Sequence, residues 1–156
     1  MQFSSTFSAL INKTIQNNMF TSPGPISVYS GVQPTPATFE GSFSSYNSTN
    51  SAFLAHFSAP SWTSNAATMS ANGVCQFQTT TSTGNATPIH SGTAAWAVIW
   101  DSTVVSAPAT TLPTANYIIC DVGNMTSNSA IRMVSTTLST STSTRIEDAG
   151  FTLAQP

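Results

Sequence analysis

Ala94-Ala95-Trp96-Ala97-Val98-Ile99-Trp100 is the most apolar run in the chain, and Asp101-Ser102 ends it. A short run of this kind, bounded by turn residues and rich in β-branched and aromatic side chains, reads as a core strand. Trp96, Val98 and Trp100 fall on one side of such a strand, because successive side chains alternate. That side is one buried face.

Working outward, the same texture repeats. Ile26-Ser27-Val28-Tyr29-Ser30 alternates apolar and polar residues as a half-buried strand does, and Gly31 closes it. Residues 32–37, with Pro34 and Pro36, read as an extended connector, after which Phe39, Gly41 and Phe43 open a further strand. Ala52-Phe53-Leu54-Ala55-His56-Phe57 is a strand ended before Pro60, and the Asn72-Gly73 turn signal introduces another across Cys75 and Phe77. Tyr117 to Val122 is expected to stop at Gly123-Asn124, with shorter strands over 130–134 and 149–153. The Ser/Thr run over 135–144 is a solvated loop or a β arm carrying Leu138. Short strands separated by Gly, Pro, Asn and Ser turns predict an all-β domain over residues 23–156, an antiparallel β-sandwich of jelly-roll or immunoglobulin-like type.

The beginning differs. Phe7, Leu10, Ile11, Ile15 and Met19 recur at three- and four-residue steps, the helical period, and Ser22-Pro23-Gly24-Pro25 ends the pattern. Residues 1–22 are therefore expected to form a short helical arm, and a lone helix of that length needs a surface on which to bury its stripe. Those five side chains are the candidate assembly contacts. Met1 to Phe20 shows neither the basic nor the apolar region of a secretory signal, and no run approaches the roughly 20 apolar residues that span a bilayer. No membrane association is expected. Without a secretory route, Cys75 and Cys120 read as two buried reduced thiols rather than a disulfide.

Charge is scarce. Asp, Glu, Lys and Arg make up 5% of the 156 residues, and the net charge is -2, where a globular domain usually carries about a quarter charged residues. Hydrophobic residues reach 40%, so the chain has the means to fold. A surface with so few charges suits a subunit covered by neighbours, and a homo-oligomer is expected. Lys13, Arg132 and Arg145 stand apart and make no basic stripe, which disfavours nucleic acid as a partner.

Catalytic chemistry finds little purchase. A serine nucleophile needs a histidine oriented by a carboxylate, and the chain holds only His56 and His90, with no G-x-S-x-G elbow. His56 reads as a sheet-face residue and His90 as a loop-edge residue. Among the acids Glu40, Asp101, Asp121, Glu147 and Asp148, Asp101 and Asp121 follow apparent strands, where Asp makes turn hydrogen bonds. Glu147 and Asp148 would point apart in a strand, with Arg145 near enough to neutralise one. The two histidines and two cysteines have no paired ligand spacing, so no metal and no cofactor is expected. Trp62, Trp96, Trp100 and Tyr29 offer a sugar-stacking platform, with core packing the competing role for Trp96.

Ile26-Ser27-Val28-Tyr29-Ser30-Gly31 followed by Pro34, and Gly92-Thr93-Ala94-Ala95-Trp96-Ala97-Val98-Ile99-Trp100-Asp101-Ser102, together resemble small Ser/Thr/Ala-rich virion proteins of tailed bacteriophages. In these a strand ending in Tyr-Ser-Gly precedes a Pro-containing loop, and a Gly-Thr-Ala-x-Trp strand ends in Asp-Ser. The resemblance implies a non-enzymatic capsid-decoration or tail-associated β-sandwich subunit. Its partners would be copies of itself and other virion structural proteins, and its location the virion, after synthesis in the host cytoplasm. The long N-terminal segment and the Thr-rich passage over 136–144 depart from that pattern, which leaves capsid and tail both open. The second reading is a fibre or adhesin module that binds host glycans through exposed aromatic rings.

Overall fold

The computed structural model describes residues 24–57, 62–64, 75–79, 83–101, 103–108 and 110–153, with backbone alone at 62–64, 75–79 and 151–153. The apolar run at its centre is strand β6 (Trp96–Trp100), all five residues of which are buried. It pairs antiparallel with β1 (Ile26–Tyr29) on one side and β7 (Tyr117–Asn124) on the other. Trp96, Val98 and Trp100 share one face as their alternation requires, while Ala97 and Ile99 pack on the opposite one. The strand is thus enclosed from both sides.

Beyond β1 lies β2 (Phe53–Phe57), antiparallel, with a bulge opposite Val28 and Tyr29. The bulge has a consequence for packing, since one extra residue flips the alternation. Phe53 joins the Trp96 face, and Ala55 and Phe57 join the Ile99 face. Beyond β7 come β8 (Ile131–Met133) and β10 (Ile146–Leu153), and the backbone ladder continues through β4 (Cys75–Thr79) to β3 (Trp62–Ser64). A separate two-stranded sheet joins β5 (Gly92–Thr93) to β9 (Thr137–Leu138), burying Leu138. The fold is mostly β with one short helix.

The antiparallel sandwich expected from the sequence needs correction. β2-β1-β6-β7-β8-β10 forms one mixed, half-barrel sheet and does not clearly divide into two packed layers. The mixed character comes from β7 and β8, which run parallel with Val122 opposite Ile131 and Asn124 opposite Met133. Parallel neighbours ordinarily need a crossover of a dozen or more residues, yet here the chain turns back within 125–130. Asn124 Oδ1 accepts from the Thr126 N–H and hydroxyl, Ser127 N–H donates to Asn124 O, and Ala130 N–H donates to Asp121 Oδ1. Gly123 admits this loop, because a Cβ there would collide with the Ser127 and Ser129 hydroxyls. β7 consequently runs through Gly123 and Asn124 instead of stopping before them.

A second correction concerns residues 36–43. The supposed connector and strand are a helix, α1 (Pro36–Gly41), followed by a 3₁₀ turn at Phe43–Ser45. Thr35 caps it through a hydrogen bond from the Thr38 N–H, and Pro36 occupies the first turn, where a missing N–H does no harm. Phe39 and Phe43, one helical turn apart, both turn onto the Trp96 face. α1, Tyr46 and the segment from Val104 to Tyr117 cover that face of the sheet. β10 also begins earlier than expected, at Ile146, with a register shift before Asp148.

The chain enters this sheet tightly. Gly24 and Pro25 are buried, Pro25 O accepts the Trp100 N–H, and a Cβ on Gly24 would overlap the Trp100 carbonyl. Residues 1–22, with Phe7, Leu10, Ile11, Ile15 and Met19, lie outside the described residues, as does the Asn72-Gly73 turn.

Candidate functional site

The only serine–histidine pair that resembles catalytic machinery among the described residues is Ser27 with His56. The two stand opposite each other on β1 and β2, with Ser27 Oγ 2.9 Å from His56 Nδ1. Trp100 Nε1–H donates to the same hydroxyl at 2.9 Å, so the Ser27 oxygen stands between the imidazole and the indole. Burial pulls the His56 pKa down to about 4, so the ring is neutral at ordinary pH. Ser27 has no solvent exposure at all, no carboxylate orients the imidazole, and His56 Nε2 and Tyr29 Oη are buried without hydrogen-bond partners. The group pins three strands together and offers no approach for a substrate.

Every carboxylate of the chain is similarly occupied. Asp101 accepts from the backbone and side chain of both Thr103 and Asn116, closing the loop after β6. Burial by itself would raise its pKa, but these four hydrogen bonds outweigh it and hold the carboxyl below its usual value. Glu40 accepts from Tyr117 Oη at 2.6 Å and ties α1 to β7; burial and that acid push the Tyr117 pKa up to about 12. Asp121 holds the 125–130 loop, Arg132 pairs with Asp148, and Arg145 pairs with Glu147. His90 Nδ1 lies 2.8 Å from Phe53 O, beside β2. The expectation that Asp101 makes turn bonds is met, whereas Asp121 does its bonding from within β7.

The sugar-stacking expectation is corrected for three of its four rings. Tyr29 lies stacked on Trp96 with ring centroids 4.1 Å apart, Phe39 meets both rings edge-on, and Tyr29, Trp96 and Trp100 are fully buried. Flat stacking and edge contacts of this kind add to the burial of large rings, and Trp96 Nε1–H is satisfied by Ser30 O at 3.1 Å. The Trp62 side chain lies outside the described residues. Cys120 is a free, buried thiol; burial first, and then the neighbouring Asp121, push its pKa up to about 12. The Cys75 side chain is again outside the described residues.

Two surface features remain. An open cleft of about 470 Å³ runs beside β9 and is lined by Val134, Leu138 and the Ser and Thr side chains of the 135–144 segment, together with Asn85, Arg145 and Glu147. Large apolar side chains stand exposed at Val32, Ile89, Val105, Met125 and Val134. Their exposure could not be read from the sequence, since Val105 follows the buried Val104 and Val134 follows the buried Met133. No group of three or more metal-ligating side chains occurs among the described residues, and no helix among them is long and apolar enough to cross a membrane.

No family model, curated protein or solved structure matches this chain.

Proposed function

We propose that this protein is a non-enzymatic structural subunit of a bacteriophage virion, a capsid-decoration or tail-associated protein that acts by assembling with copies of itself and with other virion proteins. The observation that carries the reading is the use made of its few reactive groups. All five carboxylates and both imidazoles are engaged in holding loops, strands or the helix in place, while bare valines stand on the surface. The resemblance carried by residues 26–31 and 92–102 supports the same reading; these stretches hold β1 and β6, neighbours in the main sheet, and β5 of the separate two-stranded sheet. Association would draw on apolar area removed from water, about 25 cal/mol per Å² before the entropic costs of association, multiplied over copies related by symmetry.

The test is the mass of the full chain in solution over a concentration series, followed by its incorporation into particles. A defined oligomer, or retention by isolated virions, is expected. A chain that stays monomeric and is not retained would refute the reading. A glycan-binding module is the second reading, favoured by the hydroxyl-lined cleft with its Asn85, Arg145 and Glu147. A glycan array with the wild type and Trp62→Ala separates the two, because a purely structural subunit gives no signal.

A further inference from the structure

The cleft beside β9 is built by two distant parts of the chain. Residues 83–86 run against the start of β10: Ala86 and Thr144 exchange both backbone hydrogen bonds, at 2.8 and 2.9 Å, and Thr83 N–H donates to Ile146 O. Ile146 is buried in the core, so alternation turns its neighbours Arg145 and Glu147 away from the core, and both line the cleft. Leu138, held by the pairing of β9 with β5, and the exposed Val134 give the cleft an apolar part. Its volume of about 470 Å³ falls within the range of small-molecule sites, about 300–1,000 Å³.

The polar groups of the cleft differ in what they leave unused. Ser135 and Ser139 are occupied by their own turns, bonded to Thr137 and Ser141. The side chains of Asn85, Thr142, Ser143 and Thr144 make no hydrogen bond to another described residue. Arg145 meets Glu147 through Nε and Oε1. That leaves the terminal nitrogens of the guanidinium and Glu147 Oε2 without partners among the described residues, and both side chains keep contact with water, at 50% and 21% exposure.

This combination selects a ligand by charge and by hydrogen-bond pattern. A guanidinium offers only donors and an ionised carboxylate only acceptors, and here the two stand side by side. Two neighbouring hydroxyl groups satisfy both, one oxygen accepting from Arg145 while the other hydroxyl donates to Glu147 Oε2. The Asn85 amide adds a donor and an acceptor. Because the ion pair has no net charge, what an anion gains from Arg145 is opposed by Glu147. The apolar contribution of Leu138 and Val134 suits the C–H face of a sugar ring.

Resting on the glycan-binding reading above, we infer that this cleft binds an uncharged sugar through a vicinal diol held between Arg145 and Glu147. The cleft is open, so a single site binds weakly, and copies arrayed on one particle add avidity.

The test is an array of neutral, sialylated and sulfated glycans exposed to the full chain as wild type, Glu147→Gln and Trp62→Ala, with circular dichroism confirming each fold. Neutral glycans should bind, and Glu147→Gln should weaken them at least about tenfold, as expected for the loss of hydrogen bonds to a charged group. Binding that is lost with Trp62→Ala and kept with Glu147→Gln would leave the glycan reading standing and overturn the cleft as its site. Binding confined to sialylated or sulfated glycans would overturn the uncharged diol. Silence across the array would sink both the site and the reading on which it rests. Should Glu147→Gln misfold, Asn85→Ala takes its place, an exposed side chain with no bond to another described residue; weaker neutral-glycan binding is then expected, and unchanged binding contradicts the site.

Discussion

His56 makes the fold acid-sensitive in a way that can be isolated by one substitution. In the folded chain its pKa is about 4, against an ordinary 6.5, because desolvation of a part-buried ring disfavours the imidazolium. Between these values the unfolded chain binds a proton that the folded chain does not. Stability is therefore full above about pH 6.5, declines as pH falls through that value, and stops declining below about 4. The linkage integral gives an upper limit of about 2 kcal/mol lost by pH 5 and about 3 kcal/mol by pH 4, at 1.36 kcal/mol per pKa unit. Solvent at the partly exposed ring reduces this, and about 1 kcal/mol at pH 5 is the working figure. The assay is urea unfolding of the wild type and His56→Gln at pH 7.5, 6 and 5. Every other ionisable group is common to the two proteins, so the difference between the two curves reports His56. The difference should shift in favour of the variant by about 1 kcal/mol on going from pH 7.5 to pH 5. Parallel curves would show that the imidazole is as free to take a proton in the fold as outside it, and the buried Ser27–His56–Trp100 arrangement would be wrong.

Other consequences follow from the same packing. Phe39 is fully buried between Tyr29, Trp96 and Phe43, so Phe39→Ala should destabilise the chain by about 3–5 kcal/mol in urea unfolding at pH 7.5; a loss below about 1 kcal/mol would mean that α1 does not cover the sheet. Cys120, its thiol buried and its pKa raised, should resist a thiol reagent in a Cys75→Ser background until denaturant is added; rapid reaction under native conditions would place the thiol at the surface.

The parts of the fold legible in the sequence were those decided by local pattern. β6 announced itself because its apolar run is bounded by Asp101, and the shared side of Trp96, Val98 and Trp100 follows from alternation alone. α1 was misread because Phe39, Gly41 and Phe43 fit a two-residue period, although Phe39 and Phe43 fit a helical turn equally well. The Thr35-Pro36 pair, a cap followed by a proline, held the deciding signal. Ser27 was taken as the polar side of a half-buried strand, yet β1 is buried throughout. Nothing local reveals this, since the cover comes from α1 and from the segment ending at Tyr117, far along the chain. The parallel pairing of β7 and β8 was hidden for a similar reason: a six-residue return is too short for the usual crossover, and it works here through Gly123 and the hydroxyls of Ser127 and Ser129. At the site, Asp101 could be assigned its turn role from its position after a strand, whereas the meeting of Asn85 with Arg145 and Glu147 in one cleft depends on the pairing of Ala86 with the distant Thr144.

The most direct test of the assembly account is light scattering on a size-exclusion column, comparing the full chain with one that begins at residue 21. A defined oligomer from the full chain that falls to a folded single chain on removal of residues 1–20 is the predicted result. A truncated chain with the same oligomeric mass as the full one, or a full chain that is monomeric at every concentration and absent from particles, would contradict it.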